Sequence, residues 1–174
     1  KVASSTAVQS LFEEFNAQKI PYDRDPELDT RQLLYQLFSL VNTTVYDIAK
    51  RDNKLKGMGT TLTVFLAEAG RAYVAHVGDS RAYLIRGGSI SQMTEDHTLV
   101  QDMVRDKIIT REQAEARSDR NVITRAIGVD PTVEVDVISF PIQTGDILFL
   151  CSDGLYDVVS NHEILLSLTK SNNM

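Results

Sequence analysis

Ser152-Asp153-Gly154 follows directly on the unbroken apolar run Ile147-Leu148-Phe149-Leu150-Cys151. Such a run reads as a buried, central strand. A strand that ends on Asp-Gly holds a carboxylate at the edge of the core on a rigid support, and Gly154 lets the backbone turn away beside it. Carboxylate oxygens are hard ligands, suited to Mg²⁺ or Mn²⁺. Asp-Gly also makes ordinary turns, so turn chemistry alone leaves a structural role open. A second carboxylate comes from Val77-Gly78-Asp79-Ser80-Arg81. A hairpin turn there displays Asp79 at a sheet end, where it can meet Asp153. The alternative is an Asx-type turn in which Asp79 bonds nearby backbone N–H groups. Arg81 is placed to pair with Asp79 or to hold a phosphate, or stands as a solvated or ion-paired strand residue.

Other chemistries find less support. Gly57-Met58-Gly59-Thr60-Thr61 has the glycines of a phosphate loop, but no GK[ST] follows and no helix opens there. Close packing at a strand start is the better reading. His76, His97 and His162 are far apart along the chain, without a ligand spacing such as H-E-x-x-H, and read as structural. Cys151 reads as a buried small hydrophobe, with no Cys-x5-Arg loop around it. Ser152 has no identifiable His partner, so a hydrolase triad is unsupported. No catalytic nucleophile is assigned.

The elements that must position these groups follow from period and punctuation. Val8, Leu11, Phe12 and Phe15 recur at helical spacing after Ser4 and Ser5. Residues 20–26 hold two prolines and several charges and read as a connection. A longer helix is expected over 29–52, with Leu33, Leu37, Leu40, Val41, Val45 and Ile48 as its buried stripe. The period then changes. Strands are expected at 60–66, 71–77, 80–86 and near Ile90, with turns at Gly78-Asp79 and Gly87-Gly88, as an antiparallel meander. Residues 96–127 read as a polar, helical excursion with a capping box at Thr110 and Gln113. Strands resume at 133–138 and 146–151, and a capping box at Ser160 and Glu163 opens a last helix. Grouped hairpin-linked strands with grouped helices make an α+β fold, with helices packed on antiparallel sheets.

The chain has 174 residues, 43% hydrophobic and 24% charged, enough for a single domain over 1–174 with a proper core. A net charge of −6 argues against nucleic acid as a partner. The same acidity means that a phosphate-handling site needs local cations, either Arg and Lys or bound metal. Cys151 is the only cysteine, so no internal disulfide forms, and a reducing, cytoplasmic setting is expected. No apolar run approaches the roughly 20 residues of a membrane span. No signal peptide opens the chain, which begins at Lys1-Val2-Ala3-Ser4 without an initiator Met.

Five motifs stand in order: Gly57-Met58-Gly59-Thr60-Thr61; Ala75-His76-Val77-Gly78-Asp79-Ser80-Arg81-Ala82-Tyr83; Thr94-Glu95-Asp96-His97; Val122-Ile123-Thr124-Arg125-Ala126-Ile127-Gly128; and Gly145-Asp146 through Ser152-Asp153-Gly154-Leu155. This series resembles the type 2C (PPM) metal-dependent serine/threonine protein phosphatases, closest to their bacterial branch, over about 2–170. The resemblance implies a four-layer αββα sandwich of antiparallel sheets flanked by helix pairs. It implies hydrolysis of phosphoserine and phosphothreonine by a metal-activated water at a binuclear Mn²⁺ or Mg²⁺ centre, without a phosphoenzyme. By motif, Asp153 matches a carboxylate of that centre, and Asp79 matches a ligand of a third, weaker site that Asp153 shares. Residues 102–121, within the excursion at 96–127, match the family's flap. The implied partners are phosphorylated proteins and a cognate Ser/Thr kinase. The family's N-terminal strands, with two further Asp ligands and a phosphate-binding Arg, and its C-terminal Asp-Asn-x-Thr motif have no counterpart within 1–174. The domain is therefore expected to be incomplete at both ends, with the fragment itself inactive. The alternative is a pseudophosphatase that acts as a regulatory or binding module.

Overall fold

A computed structural model describes residues 1–17 and 26–170. It opens with helices α1 (Val2–Ala17) and α2 (Pro26–Arg51), which pack on each other. Pro26 takes the first position of α2, where a missing N–H costs nothing. The rest of the connection expected over 20–26 lies outside the described residues. The buried face of α2 is broader than the expected stripe: Leu34 and Phe38 join Leu33, Leu37, Val41 and Val45, while Leu40 stays exposed. In α1 the buried residues are Ala3, Ala7 and Ser10, and Val8 and Phe12 face outward. Small side chains let α1 lie close against α2, and that approach decides which face is covered.

Six strands form two three-stranded antiparallel sheets. They are β1 (Leu62–Glu68), β2 (Arg71–Val77), β3 (Arg81–Arg86), β4 (Ser89–Gln92), β5 (Asp136–Pro141) and β6 (Ile147–Cys151). One sheet has the order β1-β2-β5 and the other β4-β3-β6. The α1/α2 pair covers the first sheet, where Leu34, Phe38, Val41 and Val45 meet Leu62, Tyr73, Ala75, Val77 and Val137. The α+β class expected from the sequence is the class observed. The single meander is not, because β2 and β3 do not pair. The chain crosses from one sheet to the other at Gly78-Asp79-Ser80. Strand β5 also starts later than the alternation of acidic and apolar residues suggested, since its ladder with β2 opens at His76↔Asp136.

The excursion at 96–127 is less helical than its composition implied. It holds α3 (Leu99–Arg105) and α4 (Arg111–Glu115), joined by turns. Thr110 and Gln113 make both bonds of the expected capping box. After β6 come α5 (Asp153–Tyr156) and α6 (Asn161–Lys170). The Ser160 hydroxyl accepts from the Glu163 N–H, the Glu163 carboxylate accepts from the Ser160 N–H, and α6 meets β4. The apolar run of β6 read as central. Among the described residues it pairs only with β3, so Leu150 is 41% exposed and Cys151 partly exposed. Among the described residues no helix is long and apolar enough to cross a membrane.

Phe38 is fully buried and Phe12 is 62% exposed. Phe38→Ala should therefore cost about 3–5 kcal/mol of stability by cavity formation. Phe12→Ala should cost less than about 0.5 kcal/mol, with urea denaturation midpoints as the measure.

Candidate metal centre

Strand register brings the two predicted carboxylates together. Strands β3 and β6 pair with Arg81 opposite Cys151. Two further steps of the same antiparallel register set Asp79 opposite Asp153, where both strands have ended. Ser152 leaves the strand in an extended conformation, and Asp153 enters the first turn of α5. The Gly154 N–H donates to Asp153 Oδ1 at 2.8 Å, which fixes one carboxylate oxygen and leaves the group at the surface. Asp79 is half-buried. Burial, and next the charge of Asp153, hold its carboxyl above the usual carboxylate range. The mutual repulsion of the pair is what a divalent cation would relieve.

The turn that carries Asp79 is gripped from two sides. On one side the His97 N–H donates to the Gly78 carbonyl at 2.8 Å, and the Gly78 N–H donates to His97 Nδ1 at 3.1 Å. With Nδ1 accepting, the His97 proton sits on Nε2 and points to Asp136 Oδ2 at 3.2 Å. Arg125 Nη1 then donates to Asp136 Oδ1 at 2.9 Å. Gly78 has φ +113, and a Cβ there would clash with the Thr61 side chain, so only glycine lets the turn sit this close to the strand start.

On the other side Arg81 does not pair with Asp79, one of the partners its sequence context allowed. Its Nε lies 3.0 Å from both oxygens of Asp96, and its Nη2 donates to Asp96 Oδ2 at 2.7 Å. The two Asp96 oxygens match the guanidinium fork. The guanidinium carbon lies 3.6 Å from the ring centroid of Tyr156, and the Tyr156 hydroxyl donates to the Asp79 carbonyl at 3.0 Å. Burial, and then the charge of Asp79, push the Tyr156 phenol far up, so it remains a donor.

A polar cleft of about 750 Å³ opens beside Asp79, lined by Arg81, Tyr156 and Asp157 and by Arg111 and Arg120 from the excursion. Arg120 Nη2 lies 3.5 Å from Asp157 Oδ1, which ties the excursion to the segment just after α5. The arginines share the lining with the carboxylates Asp79, Glu95, Asp96, Glu115 and Asp157. Their role had no signature in the sequence beyond charge. Asp79 and Asp153 fit a hard divalent cation by oxygen chemistry and by charge. Among the described residues no group of three or more His, Cys, Asp or Glu side chains forms a complete metal-holding set.

The histidines were read as separate structural residues. His76 and His97 are in fact neighbours, with ring centroids 4.7 Å apart. The His76–Asp136 register and the Gly78–His97 bonds bring them together, and sequence distance hides both. The Thr63 hydroxyl donates to the Ser80 carbonyl at 3.2 Å, so it accepts from His76 Nδ1 at 2.9 Å. His76 Nε2 is buried with no hydrogen-bond partner among the described residues. Cys151 lies on the edge strand β6, partly exposed rather than buried as expected.

Residues 3–172 match the sequence profile of the family Protein phosphatase 2C. The chain is 41% identical over 124 residues to the serine/threonine phosphatase stp of Listeria welshimeri, covering 71% of this chain and 49% of that protein. It thus spans about half the length of that relative. It superposes on serine/threonine phosphatase Stp1 from Staphylococcus aureus with a TM-score of 0.84 at 31% identity, covering 98% of this chain and 72% of that one. The catalytic domain of serine threonine protein phosphatase PstP, in complex with 2 manganese ions, gives 0.78 at 33% identity, covering 97% of this chain and 67% of that one.

Burial, and next the charge of His97, pull the His76 imidazole down from 6.5 to about 4. The unfolded chain then binds a proton that the folded chain refuses, so stability is full above pH 6.5 and falls as pH drops toward about 4. The loss at the acid end is about 3 kcal/mol. Urea midpoints at pH 7.5 and pH 5 should therefore differ more for the parent than for His76→Gln. Equal differences would show that His76 does not set this dependence.

Proposed function

The chain belongs to the protein phosphatase 2C family, and from that premise we propose that the protein hydrolyses phosphoserine and phosphothreonine in phosphoproteins. The observation that carries this reading is the pairing of Asp79 and Asp153 at the ends of β3 and β6, where burial, and next the charge of Asp153, hold the Asp79 carboxyl above its usual range. Two Mn²⁺ or Mg²⁺ ions, when bound, supply an activated water for in-line attack on phosphorus and neutralise the phosphate oxygens. Asp153 is the residue that would serve this pair, and Asp79 and Asp153 together would hold a third, weaker site.

The remaining work falls to side chains of this chain. The Gly154 N–H holds Asp153 Oδ1, so the other oxygen is free to ligate. Arg111 and Arg120 line the cleft beside Asp79 and offer charge to a phosphorylated segment lying in it. Residues 96–127 act as a flap insertion of a single phosphatase domain, held to the segment after α5 by the Arg120–Asp157 ion pair. The substrates are phosphoproteins, and the partner that makes them is a cognate Ser/Thr kinase. A cytoplasmic signalling role fits a chain whose one cysteine permits no internal disulfide.

The intact protein should release phosphate from a phosphoserine or phosphothreonine peptide only with Mn²⁺ or Mg²⁺. Outer-shell partners of metal sites are worth about 10–100-fold, so Asp153→Asn, at a direct ligand, should lower the rate by about 100-fold or more. Full activity in that variant would overturn the assignment.

A further inference from the structure

The resemblance in the sequence names carboxylates. It says nothing about what fixes their separation. That separation matters, because Asp79 sits at the start of one strand and Asp153 at the end of its neighbour, both beyond the last ladder pair. Neither is held by the β-sheet itself. One side chain bridges the two segments directly. Tyr156 lies three residues after Asp153 in the single turn of α5. Its hydroxyl donates to the main-chain carbonyl of Asp79 at 3.0 Å. Its ring stacks at 3.6 Å on Arg81, two residues past Asp79, and Arg81 is clamped in turn on Asp96. One residue of the Asp153 turn thus holds the Asp79 turn from both ends.

We propose that Tyr156 is a positioning residue that sets the Asp79–Asp153 separation, and with it the affinity of the cation site the two carboxylates share. This inference rests on the metal reading above. Tyr156 bonds the Asp79 main-chain carbonyl and neither carboxylate. It acts through the Asp79 main chain, and the rigid ring leaves the hydroxyl few alternative positions. The Arg81 stack keeps the ring in place, and the Arg81–Asp96 fork removes the guanidinium as a competing partner for Asp79.

The test uses the intact protein with Mn²⁺ alone, followed by electron paramagnetic resonance of free and bound metal. Asp79→Asn should lose one weakly bound Mn²⁺. Tyr156→Phe keeps the ring over Arg81 and removes only the hydroxyl. It should raise the dissociation constant of that same weak site about tenfold and leave the tight sites and the melting temperature unchanged. In the Asp79→Asn background, Tyr156→Phe should change nothing further. A Tyr156→Phe variant that binds Mn²⁺ like the parent overturns the proposal, and so does an equal weakening in the Asp79→Asn background. If Asp79→Asn itself binds the full complement, the shared site does not exist, and the metal reading of Asp79 falls together with the proposal. A second measurement reads the parent itself and uses Tyr156→Phe only for assignment. Fluorotyrosine ¹⁹F resonances of the parent, with Tyr156 assigned by its absence in Tyr156→Phe, should include one that shifts with occupancy of the weak site. That shift should vanish in Asp79→Asn. A Tyr156 resonance blind to Mn²⁺ in the parent counts against the proposal.

Discussion

The crossing of the chain from one sheet to the other at Gly78-Asp79 is the constraint on which the candidate site depends. A hairpin would have satisfied the Gly78 N–H and carbonyl across the turn. Here both are satisfied by His97, through its N–H at 2.8 Å and its Nδ1 at 3.1 Å. A buried backbone group left unpaired would cost about 1–3 kcal/mol, so this reciprocal pair holds the turn in one geometry. His97 is oriented by Asp136 on β5, and Gly78 packs on Thr61 just before β1. The crossing is therefore braced by the first sheet while it delivers Asp79 to the end of the second.

The electrostatics of the site follow from the same placement. Two carboxylates beside each other in a chain of net charge −6 repel, and burial, with that repulsion second to it, holds the Asp79 carboxyl up. Arg81 is committed to Asp96 by three short contacts, so its charge only partly offsets the raised Asp79 carboxyl. The cleft cations Arg111 and Arg120 lie on the excursion. What this arrangement accommodates best at the carboxylates is a hard divalent ion.

Much of this was legible in the sequence where one residue type does one job. Thr110 with Gln113, and Ser160 with Glu163, mark helix starts because a hydroxyl and a carboxylate or amide at that spacing satisfy the free N–H groups reciprocally. Asp153-Gly154 after an apolar strand marked a carboxylate at a sheet end. What the sequence hid depends on long-range register. The Arg81–Asp96 fork, the His76–His97 contact and the Tyr156–Asp79 bond each join residues that no local period relates. The helical spacing of Val8, Leu11, Phe12 and Phe15 marked α1 but not the face it buries. Large apolar residues draw attention to Val8 and Phe12, while close approach to α2 is made by Ala3 and Ala7. Sheet membership was misjudged at Gly78, because a glycine turn between two strands reads as a hairpin whether or not the strands pair.

The account stands or falls on whether Asp79 and Asp153 hold metal together. The most direct measurement is the anomalous scattering of Mn²⁺ in crystals of the intact protein. The account predicts an anomalous peak within about 2.0–2.5 Å of an oxygen of each carboxylate. Manganese sites that leave both Asp79 and Asp153 uncoordinated would contradict it.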